Sequence, residues 1–453
     1  MNSKGLYEDM KYLESETQNK SSLILILSLF ISILFGVLYS LTNSSAFGFI
    51  STFVICLALT QLDTNDCFLL LFVTQFLRSV IRINIGSASY SFLLFAYPIV
   101  FLRFHIISND KSFYKVSLAA IFLLFYDIII STLYDVANIG DIILWALSLV
   151  LILQVLYSDY AIDINKLIIS LGIAIWCICI INILAEIRIF GSSLNPSLYG
   201  AYLASDGSYY SFGKGYPAIA GGNEIAQYIP LFIGTSILNW KNFNKFSKGF
   251  LFTSDIFFAY IGMICIARAF YIEMAIFFIA WFIIKAKRPI SFLFFLVILI
   301  IIGYICIYTF SDYLNPLIMQ VQRRFAQGNG GRDSLWIRSF EVLADWKVGL
   351  FGAGSYYPLV FTDLTAHNIF LDTFLSFGFI IGTFYLFTLL RTIVDECVKY
   401  KLNRFKYWIP FIMLFVYKNI SGSVRDVPFY YIIAFIILFM IGMKQEDVAS
   451  DCL

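Results

Sequence analysis

Charge is scarce in this sequence. Asp, Glu, Lys and Arg make up 13% of the chain, about half of the roughly 25% typical of a soluble domain. Hydrophobic residues make up 60% and mean hydropathy is +0.83, so water cannot be the main solvent for this surface. About fourteen spanning helices of roughly 20 residues each would take about 280 positions. The apolar fraction of a 453-residue chain supplies them. What remains is too short for a separate soluble domain. The expected architecture is an all-α, polytopic transmembrane bundle of about 14 helices, with residues 1–453 forming a single membrane-embedded domain.

Other absences narrow the reading further. Cys56, Cys67, Cys177, Cys179, Cys265 and Cys306 fall in or beside apolar runs, and Cys397 and Cys452 fall in segments assigned to the cytoplasm. No outer loop contains a pair, which excludes a disulfide framework. The first twenty residues are polar, and the apolar run after them lacks a cleavage-type end. It therefore reads as a first helix and not a removable signal. There is no internal repeat and no low-complexity segment. The outer side has no Asp-x-Asp and no cluster of His, Cys and carboxylates, so no metal or other cofactor is expected. Asp63 and Asp66 lie close together but on the cytoplasmic side, as solvated loop charges. No nucleic-acid partner is expected.

Apolar runs place spans at about 22–41, 44–61, 66–82, 89–106, 113–132, 139–157, 164–187, 223–239, 249–265, 267–285, 289–310, 366–392, 406–421 and 426–443. Orientation follows from Lys and Arg. With the N-terminus cytoplasmic, the inner segments hold 19 of the 31 basic residues, and the even helix count returns the C-terminus to the same side. Only 4 of those 19 are Arg, whereas 9 of the 12 on the outer side are: Arg78, Arg82, Arg188, Arg268, Arg323, Arg324, Arg332, Arg338 and Arg425. Arg has a rigid fork of donors that matches phosphate oxygens two at a time. An outer face that selects Arg points to a phosphorylated ligand. Snorkelling, or pairing with outer acids, is the competing account of any single one.

Two outer segments are long enough for chemistry, about 188–222 and about 311–365. In the second, Asn315–Pro316 is a helix-start signal, and the helix would end in Gln327–Gly328–Asn329–Gly330–Gly331. It carries Arg323 and Arg324. A second helix would begin after Asp333 as cap residue, with Arg332 and Arg338 near its start. Trp336, Phe340, Leu343 and Trp346 form one apolar stripe suited to the bilayer surface or to the bundle. Gly349, Gly352 and Gly354 would close the element.

Histidine is nearly missing too: the chain has two. His105, beside Arg103 at an inner helix end, reads as an interfacial residue. His367 lies where the outer loop re-enters the membrane. Imidazole titrates near neutral pH and can accept a proton from a hydroxyl, and a helix N-terminus disfavours its charged form. Helix capping or a core hydrogen bond is the competing role. Asn368, Glu224, Glu273, Asp363 and Asp372 are supporting candidates, able to orient the histidine, pair with an arginine or contact sugar hydroxyls. Buried ion pairing is the alternative for the four acids. Tyr209, Tyr210, Tyr216, Tyr356 and Tyr357 read more readily as a membrane-interface belt than as sugar platforms.

Taken in order, Gly331–Arg332–Asp333–Ser334–Leu335–Trp336, Gly349–Leu350–Phe351–Gly352–Ala353–Gly354 and His367–Asn368–Ile369–Phe370–Leu371, with Gly378 beyond, resemble the C-terminal region of the O-antigen polymerase and O-antigen ligase families (Wzy-like and WaaL-like proteins). Ala267–Arg268–Ala269 is similar to their small-Arg-small element. The resemblance covers roughly residues 220–400. It implies a fold of the GT-C type with one long periplasmic loop. It also implies, in the bacterial inner membrane, transfer of a glycan from an undecaprenyl-pyrophosphate-linked oligosaccharide to a sugar hydroxyl. Carried over, Arg268 and Arg332 match phosphate-contacting arginines and His367 matches the general base. Arg323, Arg324 and Arg338 rest on the charge argument alone. A glycan polymerase, for which both donor and acceptor are lipid-linked, is the leading expectation. A ligase acting on lipid A core is the nearest alternative, and a flippase for the same lipid is the alternative from another class. Membrane lipid, a chain-length regulator and a flippase are the expected partners.

Overall fold

The computed structural model describes residues 3–42, 44–85, 88–105, 111–157, 163–194, 202–203, 208–209, 212, 222–285, 297, 301, 304–305, 308–309, 311–326, 332–361, 364–420 and 422–451. Most of the 289–310 span, most of the outer segment 188–222, the glycine turn at 327–331, Asp363, Cys306 and Cys452 lie outside the described residues, as do the side chains of His105, Arg323 and Arg324.

The chain is nearly all helical. Helices α1 (Ser3–Thr42), α2 (Ser45–Gln61), α3 (Thr64–Gln75), α4 (Leu93–His105), α5 (Lys111–Leu133), α6 (Ile139–Tyr157) and α7 (Ile164–Phe190) form the first half. The second half has α8 (Gly222–Leu238), α9 (Lys245–Ile264), α10 (Arg268–Lys285), α11 (Ser311–Ala326), α12 (Arg332–Ala344), α13 (Trp346–Phe351), α14 (Tyr357–Val360), α15 (Ile369–Lys399), α16 (Phe405–Ile420) and α17 (Val427–Asp451). Five stretches among the described residues are long and apolar enough to cross a membrane: Ser21–Thr42, Ile139–Leu156, Ile164–Arg188, Ile369–Lys399 and Val427–Val448. Four further apolar helices are shorter: Ser45–Gln61, Leu93–Arg103, Ser117–Leu133 and Glu224–Leu238. This is the pattern of a membrane-embedded bundle.

Helix α17 is the axis of the bundle, with 94% of its apolar window buried. Phe435 stacks on Phe72 of α3 with ring centroids 5.5 Å apart, and Tyr430 stacks on Trp145 of α6 at 6.4 Å. Such rings bring large buried area at low rotamer cost. Outward faces carry exposed Phe, Leu and Ile instead, as lipid contact requires.

Several expectations are corrected. The chain is not purely α. The span read at 66–82 ends as helix at Gln75, and Arg82–Ile85 pairs antiparallel with Ala88–Ser91 as a β-ribbon before α4. A second short pairing joins Tyr202–Leu203 to Ser208–Tyr209. Asp66 is no solvated loop charge: it is 2% exposed and accepts a 2.7 Å hydrogen bond from Ser21 Oγ. Asp63 caps α3 by accepting from Asp66 N at 2.8 Å. Helix α11 starts at Ser311, ahead of Asn315–Pro316, and α12 starts at Arg332, which puts Asp333 inside the first turn and not at the cap. Gly349 sits inside α13 and does not end it. The apolar stripe divides: Leu343 is buried and Trp336 half-buried, while Phe340 and Trp346 are exposed. The inward line of α12 runs instead through Leu335, Ser339 and Leu343.

Helix α15 contains a break that no length count reveals. Gly378 has φ 69° and ψ 175°, a region open essentially to glycine alone. The carbonyls freed there find new donors: Ala353 N donates to Leu375 O at 2.8 Å and Gly354 N to Ser376 O at 2.9 Å. The glycine-rich turn after α13 thus repairs the helix it docks on.

Candidate functional site

His367 sits between two fixed points. Ahead of it, Ala366 O accepts from Trp336 Nε1 at 2.9 Å, and Ala366 N donates to Tyr357 OH at 3.2 Å. Behind it, Asn368 caps α15, its Oδ1 accepting from Phe370 N at 3.0 Å and Leu371 N at 3.2 Å. The capping role therefore belongs to Asn368 and leaves the imidazole to the neighbouring space. His367 itself has φ 50°, a strained conformation for a residue with a side chain. Its Nε2 lies 3.2 Å from Thr365 Oγ1. Burial, and then the Arg332 guanidinium, hold its pKa below the ordinary 6.5. The ring is neutral at neutral pH, the form that accepts a proton.

A second element brings a cation to the same space. Between α16 and α17 a tight turn carries Arg425. Val424 N donates to Asp372 Oδ2 at 2.7 Å, and Tyr430 OH donates to Val424 O at 2.8 Å. Lys418, 3% exposed, pairs with Asp426 at 2.5 Å. Gly422 packs so closely that a Cβ would lie 2.9 Å from Ile369 N. The Arg425 guanidinium lies 4.6 Å over the Tyr356 ring, and Tyr356 OH donates to Asp141 Oδ2 at 2.5 Å.

These groups line one cavity of about 460 Å³ at the end of the bundle where α6, α8 and α17 begin. Its wall includes Arg78, Asp141, Glu224, Tyr356, His367, Asp372, Arg425 and Asp426. Asp372 adds no free acceptor pointed at a ligand: Oδ1 takes Tyr357 OH at 2.8 Å and Oδ2 takes Val424 N. It pins the 422–426 turn to α15. Two guanidiniums, a neutral imidazole and carboxylates together can hold a phosphate and hydroxyl groups and accept a proton.

The sequence-derived candidates divide accordingly. His367, Glu224 and Asp372 line the cavity. Arg332, half-buried at the start of α12, acts on His367 through its charge without lining the wall. Arg268 opens α10 after the break at Cys265–Ala267 and is half-buried, and Arg338 is exposed; neither lines the wall. Asn368 is a cap. Arg323 and Arg324 ride on α11 with side chains outside the described residues, and Asp363 is outside them altogether. Glu273 is buried, and Lys418 is the charged group acting on it. Arg78 and Arg425 belonged to the outer arginine excess without being singled out. Tyr356 had the signature of an interface tyrosine, and Asp141 had no local signal at all. Among the described residues no three His, Cys, Asp or Glu side chains converge as metal ligands.

The class defined by fold and composition is a membrane-embedded helical protein with a charged cavity at a bundle end. Compared with protein-family models, with curated proteins and with solved structures, the chain matches none.

Proposed function

We propose that this protein is a glycosyltransferase that lengthens a surface polysaccharide, O-antigen or a relative of it, from polyprenyl-pyrophosphate-linked repeats at the periplasmic face of the bacterial inner membrane. One observation carries the reading: His367, neutral at working pH, shares a cavity wall with Arg78 and Arg425. The hydroxyl oxygen of the acceptor sugar attacks the anomeric carbon of the donor. The carbon–oxygen bond to pyrophosphate breaks, and the lipid pyrophosphate leaves with the electron pair. The hydroxyl proton passes to His367. One base and no protein nucleophile make this a single displacement with inversion. Arginines around the leaving group stabilise charge that grows in the transition state, and the chemistry asks for no metal.

The test is reconstitution with lipid-linked repeats. Chain lengthening supports a polymerase, transfer to a lipid A core acceptor a ligase, and movement across the bilayer without new bonds a flippase. His367→Ala should slow lengthening about 10²–10⁴-fold, the usual contribution of a general base, while the protein still inserts. Arg425→Ala, on the same cavity wall, should also weaken lengthening. Unchanged ladders from His367→Ala would remove the site assignment.

A further inference from the structure

We infer that the segment Arg332–Phe361 is a re-entrant element whose outer face is seated in the acyl chains of one leaflet, below the ends of the spanning helices. The inference is independent of the catalytic reading.

Two neighbours measure its depth. On α5, Tyr126 OH donates to Phe351 O at 2.7 Å, and Asp127 accepts from Ser355. Tyr126 and Asp127 lie six to seven residues before the end of α5 at Leu133, or about 10 Å at 1.5 Å per residue. A helical side chain leans toward the helix N-terminus, which places these contacts deeper still. On α15, Ser376 meets Gly352, and Gly378 meets Leu350. These positions lie seven to nine residues past the helix start at Ile369, again about 10 Å or more. Both helices place the bottom of the dip at one level.

Backbone at that level must be paired inside the protein, because lipid offers it nothing. The turn meets this demand. Residues 352–355 are all buried. Gly352 N donates to Val348 O, Ala353 N to Leu375 O, Gly354 N to Ser376 O and Ser355 N to Asp127 Oδ1 at 2.7 Å. Asp127, buried in the middle of an apolar helix, thereby has a purpose: it supplies the acceptor that lipid does not.

The outer face fits the same partner. Ile337, Phe340, Trp346, Leu350 and Phe351 are 40–64% exposed. They continue the apolar surface of Phe122 and Phe125 on α5 and of Phe379 and Ile380 on α15, all exposed as well. Charged residues, Arg338, Glu341, Asp345 and Lys347, are exposed in the same segment, so it is the continuity of Leu350 and Phe351 with the lipid-facing surface of α5 and α15 that commits the lower part of the element to acyl chains.

The test uses full-length protein in liposomes with a fluorophore on Leu350→Cys, read against the unsubstituted protein carried through the same labelling. Lipids brominated in mid-chain should quench this label strongly, and aqueous iodide should quench it weakly. A label on Glu341→Cys, an exposed polar position on α12, should behave in the opposite way. Phe340→Cys provides the same reading if Leu350→Cys fails to fold. Iodide quenching at Leu350 equal to that at Glu341 would overturn the inference. So would shielding from both quenchers, the result that a second copy seated on this face would give.

Discussion

Replacing Asp127 with Ala should loosen the re-entrant turn and destabilise the whole protein. Its carboxylate is fully buried and accepts four hydrogen bonds: from Trp145 Nε1 at 3.1 Å, Ser131 Oγ at 3.1 Å, Ser355 N at 2.7 Å and Ser355 Oγ at 2.6 Å. The two hydroxyls can rotate to other acceptors. The indole and backbone N–H groups cannot. Each buried donor left unmatched costs about 1–3 kcal/mol, so the pair costs about 2–6 kcal/mol. Ala also relieves the burial of a carboxylate, which moves the expected loss to the lower half of that range. Asp127→Asn keeps one carbonyl oxygen and should recover about half of the loss. Denaturant titration in detergent, followed by tryptophan fluorescence, reads the difference. Trypsin should also cut faster at Lys347, whose helix the turn anchors. A variant within about 0.5 kcal/mol of the unsubstituted protein, with Lys347 equally resistant, would refute the role assigned to this carboxylate.

Gly378→Ala should fold poorly: its φ of 69° and ψ of 175° suit glycine, and a Cβ would run into the Leu350 carbonyl. Insertion yield checks this, and a normal yield would mean the break is not needed. Lengthening activity should hold through neutral pH and fall only on the acid side of the ordinary imidazole range as His367 takes a proton, because burial and Arg332 lower its pKa. The unfolded chain binds the proton more readily there, so stability also falls as pH drops. Arg332→Gln removes one repelling charge and should move the acid limb to higher pH; an unmoved limb would dissociate the two residues. Lys418→Met leaves Asp426 without its partner and should cost about 3 kcal/mol, much of it restored by adding Asp426→Asn. Thermal midpoints of the single and double variants decide the point.

Length and hydropathy were enough to place the long helices, because a spanning helix must be apolar over its whole length. The α9–α10 break was legible in Ala267 and Arg268, and the opening of α15 in His367–Asn368. The β-ribbon escaped a reading by hydropathy alone. Its signal was there as alternation through Arg82–Ile83–Asn84–Ile85 before Gly86–Ser87. The outward face of α12 was misassigned because its inward line includes a serine, Ser339, whose hydroxyl is satisfied by Leu335 O at 2.7 Å. Asp127 offered a lone carboxylate in an apolar run, which marks a special position without saying which. Arg425 offered less. Its place beside His367 depends on a turn held by Asp372 and Lys418, through contacts that join positions 52 and 8 residues apart. Sequence spacing cannot show that.

The charge balance of the cavity bears on what it can hold. Arg78 and Arg425 line it, two cations. Asp141, Glu224, Asp372 and Asp426 line it, four carboxylates. A pocket built for a bare anion gathers an excess of cations, and this one has none. Its selectivity must come from direction and not from net charge. Lys418 takes up Asp426, and Asp372 is spent on Val424 and Tyr357. Arg425 is held over a tyrosine ring, whose face attracts the cation. Guanidinium donors and carboxylate acceptors facing one space match a ligand that is anionic at one end and rich in hydroxyls at the other. A sugar diphosphate has that polarity, whereas inorganic phosphate does not. On the proposed reading, a sugar-linked pyrophosphate should therefore compete for the cavity far better than free pyrophosphate, and equal competition would count against it.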